Sequence, residues 1–235
     1  MGCIGVIAGC SGSQADRQTS RLDTLAPRYW TAFPDSENPI SQGGRWLNGG
    51  VDGSDWTNVS TTPHRAIGHQ MGARYTDGTA ILTGTWSPDQ SAWATVFVNG
   101  QISDICLSEV ELRLRSSIEK HMNRGYEVSY KVSDTKQAYV MIVRWSGELG
   151  DFKVLTENYG ERYGVQDGDV VSATIVGNRI DAFKNGQLVA TATDDTYQSG
   201  NPGIGFNLEN SHAGCPATND RYGFSRFSAA DAHGR

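Results

Sequence analysis

Period-two alternation, hairpin pairs of the Asn-Gly kind and scant helical spacing predict an all-β fold, a two-sheet antiparallel β-sandwich. The 235 residues suit one such unit, because sandwiches of this size are commonly single domains. Gly stands at 28 and Pro at 7, a balance that fits many tight turns better than a disordered linker. With 26 acidic against 20 basic residues the formal charge is −6. That charge repels phosphate backbones and argues against nucleic acid as a partner. No run reaches the ~18 apolar residues that a spanning helix needs.

Residues 1–24 read as a signal-like start followed by a polar, aperiodic tether. Ile7-Ala-Gly-Cys10 resembles a bacterial lipobox. It implies lipidation of Cys10, membrane anchoring and a secreted, periplasmic or cell-surface location. The departures are a missing basic stretch and only nine residues before Cys10, so an accidental match stays open. Residues 25–231 read as the sandwich, opening on Tyr29-Trp30. Strands follow at Ser91 to Val98 and Leu107 to Arg115. Gly125 to Val132 and Gln137 to Trp145 form a pair turned by Asp134-Thr-Lys136. Ser116 to Arg124 is polar and reads as one helical turn or a loop. From Asp169 to Thr193 a three-stranded meander is written in Val170/Ser172/Thr174/Val176 alternating with Val171/Ala173/Ile175. Its second turn is Asn185-Gly186, which suits a type I′ turn because both central residues need positive φ. Ile204 to Leu208 and Tyr222 to Ser228 close the chain.

The segments Tyr139 to Trp145, Tyr163 to Gly186, Asp194 to Gly205 and Tyr222-Gly-Phe-Ser-Arg-Phe227 resemble the C-terminal half of concanavalin A-like, laminin G-like jelly rolls. The resemblance covers about residues 30–230 and implies a carbohydrate-handling protein whose partner is a polysaccharide or oligosaccharide. It is specific for fold and unspecific for activity, since one fold hosts lectins, glucanases and lyases.

Glu109-Val-Glu111-Leu-Arg113-Leu-Arg115 is the stretch richest in chemistry. Alternation places Glu109, Glu111, Arg113 and Arg115 on one strand face and Val110, Leu112 and Leu114 in the core. Such a row is either a solvated face of salt bridges or, on the resemblance, the floor of a concave sugar groove. There carboxylates accept from hydroxyls and arginines donate in a planar fork. Laminarinase-type glucanases carry Glu-x-Asp-x-x-Glu on such a strand. Glu109 and Glu111 match its first two acids, and Leu114 stands where the third belongs. Jelly-roll alginate lyases carry Arg-x-Glu-x-Arg, which Glu111 and Arg113 match in part. The expectation is therefore a polysaccharide-binding sandwich. The alternative is an enzyme, a uronate lyase ahead of a glycoside hydrolase.

For the lyase, Glu111, Arg113, Tyr130 and His69 are the candidate catalytic set, with His69 or a tyrosine as base and an arginine neutralising the uronate. Glu109, Arg115, Arg144 and Trp145 are candidate substrate contacts. Arg144 and Trp145 are adjacent, so only one of them faces the groove. No cofactor is required on this reading. Asp194 and Asp195 are candidate ligands for a structural calcium, turn formation being the plain alternative. Cys106 and Cys215 form a disulfide in an exported protein or remain two buried thiols.

Overall fold

The structure is a computed structural model and describes residues 27–69, 77–209, 215 and 220–232. The 1–24 segment and Cys10 lie outside them. Two antiparallel sheets stack as a sandwich. Sheet I runs β13 (Gln187–Thr193), β12 (Arg179–Lys184), β11 (Val170–Val176), β6 (Gln90–Val98), β15 (Tyr222–Asp231), β4 (Arg65–Gly68) and β3 (Val59–Thr62), with β1 (Tyr29–Thr31) also paired to β15. Sheet II runs β10 (Phe152–Tyr159), β9 (Tyr139–Trp145), β8 (Met122–Lys131), β7 (Leu107–Glu119), β14 (Asn201–Glu209), β5 (Asp77–Leu82) and β2 (Trp46–Asn48). The described residues contain no helix long and apolar enough to cross a membrane.

Alternation fixes the faces. Val171, Ala173 and Ile175 of β11 are fully buried, while Val170 and Val176 are exposed. The inner face of sheet I is rich in alanine, with Ala92, Ala94, Ala173, Ala182 and Ala229 in the core. Opposite it, sheet II presents Leu112, Leu114, Tyr126, Tyr130 and Phe206. Small residues on one sheet make room for large ones on the other, which is how a sandwich reaches close packing. The meander closes on Asn185 (φ 50°) and Gly186 (φ 76°), the left-handed pair expected.

Ser116 to Arg124 is neither helix nor irregular loop. β7 continues to Glu119 and β8 begins at Met122, with Glu119 opposite Met122 across a two-residue turn. The alternation is hidden by a bulge, where the β7–β8 register shifts between Leu114 and Ser117 and Arg115 adopts φ 46°. The neighbouring strands yield to it with Gly125 and Gly200, both at positive φ. A Cβ at either would lie under 3 Å from the Arg115 or Ser116 backbone.

Cys106 and Cys215 form a disulfide, with Cα atoms 5.5 Å apart, spanning 109 positions of chain. Closing a loop of that size is worth ~4–5 kcal/mol in the chain-entropy account. Reduction should lower the thermal midpoint by ~10 °C, read by calorimetry with thiol quantification. An unchanged midpoint with both thiols titrating would contradict this.

Candidate functional site

The outer face of sheet II gathers the chemistry. β7 contributes Glu109, Glu111 and Arg113, and the register sets Lys131, Ser129 and Glu127 of β8 opposite them. On the other flank β14 offers Asn207, Gly205 and Gly203, and β5 places Asp77 beside Asn207. Arg113 is the centre. Its Nη2 lies 3.0 Å from Asp77 Oδ1 and 2.5 Å from Glu111 Oε2, and its Nη1 lies 2.6 Å from Glu127 Oε2. All four groups are buried, Arg113 and Glu111 at 1 % exposure. Gly205 makes the arrangement possible, because a Cβ there would sit 2.2 Å from Glu111 Oε2 and 2.8 Å from Arg113 Nη2.

Aromatic rings roof the cluster. The Arg113 guanidinium carbon lies 5.7 Å from the Trp145 ring centre, and Trp145 Nε1 donates to Glu127 Oε2 at 2.5 Å. Trp56, from the segment after β2, meets Trp145 edge to face at 5.9 Å. Tyr139 donates its hydroxyl to Glu109 at 2.7 Å. The row is therefore not the open floor the sequence suggested, since these rings bury it. Along β10 the face opens again, with Phe152 and Tyr159 at 50 % and 59 % exposure and Val154 between them.

Packing acids this tightly away from water shifts their titration. Burial, followed by the charges of Asp77 and Glu127, holds the Glu111 carboxyl well above the ordinary range. Burial, with Glu127 nearby, raises Glu109 to about 7. Asp77 also rises to about 7 through burial, although Arg113 pulls it down. Burial alone would lower Arg113, but Glu127, Glu111 and Asp77 outweigh it and the net shift is upward. Burial thus favours the protonated form of Glu111, which is hydrogen-bonded to a permanent cation.

Several polar atoms in this region have no hydrogen-bond partner among the described residues: Trp56 Nε1, Glu111 Oε1, Arg113 Nε, Ser129 Oγ and Asn207 Oδ1. Buried polar atoms are nearly always paired, so five on one face mark a surface complementary to something polar.

The remaining expected residues go elsewhere. Arg115 is a correction. The bulge swings it off the row, and it donates to the carbonyls of Pro88 (2.6 Å), Tyr197 (2.9 Å) and Gly177 (2.7 Å), tying β7 to the loops of sheet I. Of the adjacent pair, Trp145 faces the cluster and Arg144 does not. Arg144 Nη1 reaches Asp194 Oδ2 at 2.7 Å. Tyr130 lies on the inner face, opposite Val110, and donates to the Ser172 and Phe183 carbonyls at 3.1 and 2.9 Å. It is separated from Glu111 and Arg113 by the sheet itself. His69 Nε2 is bonded to Ser60 Oγ, and burial lowers its pKa.

Asp194 accepts from Arg144, Tyr126 Oη and the Thr196 amide, so its oxygens are already engaged by the protein. Asp195 is exposed. The described residues gather one carboxylate cage fit for a metal, Asp77, Glu111 and Glu127, with ligand oxygens within 4.8 Å of one another. The Arg113 guanidinium supplies the positive charge there.

No family model and no curated protein matches the chain. Solved structures do. The chain is similar to a Bacillus subtilis carbohydrate-binding module, CBM66 (15 % identity, TM-score 0.52, 73 % of this chain and 96 % of that one). It is also similar to a Bacillus licheniformis beta-glucanase (12 %, 0.54, 88 % and 99 %). A third likeness is to the exoplasmic/lumenal domain of VIP36 in its Ca2+/Man2-bound form (8 %, 0.58, 91 % and 91 %). The fold is the concanavalin A-like jelly roll. On β7, Glu109, Glu111 and Arg113 face outward and Leu114 lies in the core, with the bulge after it.

Sequence reasoning missed Asp77, Glu127, Ser129, Asn207 and Trp56, and considered Tyr139 only as a possible base. Glu127-Val-Ser129-Tyr-Lys131 carries the same alternation as the row it pairs with and was legible. Asp77, Asn207 and Trp56 arrive through pairing and loop placement and leave no local signal.

The cluster makes stability pH-dependent. Folded-state values near 7 for Glu109 and Asp77, above their ordinary 4.5 and 3.8, mean that the folded protein holds extra protons across that window. Stability is therefore full below it and is lost as the pH rises through it. Glu111, also raised by burial, adds to the loss in the same direction. The thermal midpoint should fall by ~5 °C or more between pH 5 and pH 8, and Glu111→Gln should flatten the slope. A midpoint that climbs across the range would refute the assignment.

Proposed function

We propose that the protein binds carbohydrate on the outer face of sheet II, between the cluster and the exposed β10 rim. The observation that carries this reading is the set of unpartnered polar atoms around Glu111. Hydroxyl groups both donate and accept, so they satisfy Glu111 Oε1, Ser129 Oγ, Asn207 Oδ1 and Trp56 Nε1 together. Tyr159 and Phe152 offer ring faces at the same surface. Three solved neighbours support the class: a carbohydrate-binding module, a beta-glucanase and a Man2-bound lumenal domain. Ligand entry requires the Trp56–Trp145 roof to part, and the guanidinium stays as a fixed donor beneath it.

A hydrolytic reading has one observation in its favour, Glu111 held well above the ordinary carboxylate range beside Glu109 on one strand. A glycosidase needs a protonated acid and an ionised partner. Here Leu114 occupies the position of the third acid and is buried in the core, and Arg113 pairs with the acids that remain, so binding is the better-supported role. The lyase set does not assemble around Arg113, because Tyr130 lies across the sheet from it. Export to an oxidising compartment is supported by the Cys106–Cys215 disulfide. Anchoring through Cys10 rests on the lipobox-like residues alone. A structural calcium in the Asp77–Glu111–Glu127 cage would have to displace the guanidinium.

Ser129→Ala separates function from fold. Its hydroxyl has no partner among the described residues, so its loss should leave the thermal midpoint within ~1 °C and weaken polysaccharide binding ~5-fold, the worth of one hydrogen bond. Affinity electrophoresis against soluble glycans reads the effect, with reducing-end and 235 nm absorbance assays run alongside for hydrolase and lyase products. Unchanged retardation would remove the cluster from the binding surface. Product formation that stops in Glu111→Gln would replace binding by catalysis.

A further inference from the structure

A second surface stands on the opposite side of the sandwich. The β1–β15–β6–β11 register places Trp30 opposite Ser228, Ser228 opposite Trp93, and Trp93 opposite Ser172. These four residues form one transverse row on the outer face of sheet I, because their strand neighbours Tyr29, Phe227, Ala229, Ala92 and Ala94 point into the core. Trp30 is 54 % exposed and Trp93 is partly exposed. Ser91, Thr95 and Thr174 lie beside the row. Two indoles held two strands apart, ~10 Å, with a serine between them, are unlike the polar surface around them.

A shallow recess, open to solvent, adjoins Trp30 and is lined also by Thr31, Asp35, Glu37, Gln42 and Gly43. The loop that walls it is held from within. Both oxygens of Glu37 accept from the Gln42 amide at 3.0 Å, Ser41 N donates to Oε2 at 3.0 Å, and Gln42 Nε2 donates to Thr31 Oγ1 at 2.8 Å. Asp35 is exposed at the rim. The recess therefore presents a rigid wall, an indole face and a carboxylate that accepts from hydroxyls. No Lys or Arg lines it. The exposed Arg226 lies two residues along β15 from Ser228.

We propose that Trp30 and Trp93, with the Asp35 recess, form a second carbohydrate platform that takes a neutral glycan chain lying across the strands of sheet I. The stacking faces and the hydroxyl acceptor fit uncharged sugar rings. The acids of the recess disfavour uronates by like-charge repulsion. The platform is independent of the cluster on sheet II, and a protein with both surfaces cross-links two chains or grips one chain at two points.

The test is a titration of tryptophan fluorescence and an affinity gel, using hydroxyethylcellulose, a mannan and polygalacturonate as probes. Trp30→Ala and Trp93→Ala should each weaken binding of a neutral polymer ~5-fold. The loss should add to that of Ser129→Ala, and the thermal midpoint of Trp30→Ala should stay unchanged because its ring is exposed. Trp93→Phe, which keeps a ring in place, should bind better than Trp93→Ala. Tryptophan variants that bind every neutral polymer like wild type, while Ser129→Ala loses affinity, overturn this platform and leave the sheet II site standing. The reverse pattern overturns the sheet II site alone. Preferential binding of polygalacturonate overturns the neutral-ligand assignment, and no binding of any glycan by the wild type removes both surfaces.

Discussion

Arg113 keeps a permanent charge where almost no water reaches, and the surrounding strands are arranged to make that tolerable. An isolated cation in such a place costs many kcal/mol. Here Asp77, Glu111 and Glu127 approach it from three different strands. Gly205 clears the space beside it, and Trp145 covers it with a ring face. The acids in turn need the guanidinium, since without it their mutual repulsion would be uncompensated. Buried ion clusters add little net stability compared with apolar packing, but removing one partner is strongly destabilising. The cluster thus fixes the relative register of β5, β7, β8 and β14 more than it strengthens the fold.

The same constraint decides what the face can do. Burial favours the protonated form of Glu111, and the guanidinium is held in a fixed orientation by three carboxylates. On the proposed reading these groups meet hydroxyls. The aromatic roof and the exposed β10 rim then set the boundary between the dry cluster and the solvent. Arg115, sent the other way by its bulge, braces the two sheets at one end of the strand and so keeps the row above it in line.

The fold was legible because its signals are local. Alternation in β11 and the Asn185-Gly186 turn specify strands and hairpin by themselves. The row Glu109, Glu111 and Arg113 was legible for the same reason. Arg115 was not, since a bulge reverses facing without changing composition. The burial of the row also escaped the sequence. It depends on Trp56, 53 residues before Glu109 in the chain, and on ring faces delivered by β9. The partners Asp77 and Asn207 come from strands whose adjacency is set by the order of the sheet, which no spacing in the chain encodes. Arg144 and Trp145 were seen as alternatives, and packing chose between them.

The account rests on a buried cluster that holds Glu111 well above the ordinary glutamate range beside Arg113. A carbon-13 titration of the side-chain carboxyls, followed by nuclear magnetic resonance from pH 3 to pH 9, reads this directly. The Glu111 resonance should change well above the pH at which an exposed glutamate titrates, and those of Asp77 and Glu109 near neutrality. A Glu111 signal that moves at the pH of an ordinary exposed glutamate would mean that water reaches the guanidinium and that the face is open, contrary to everything inferred from its burial.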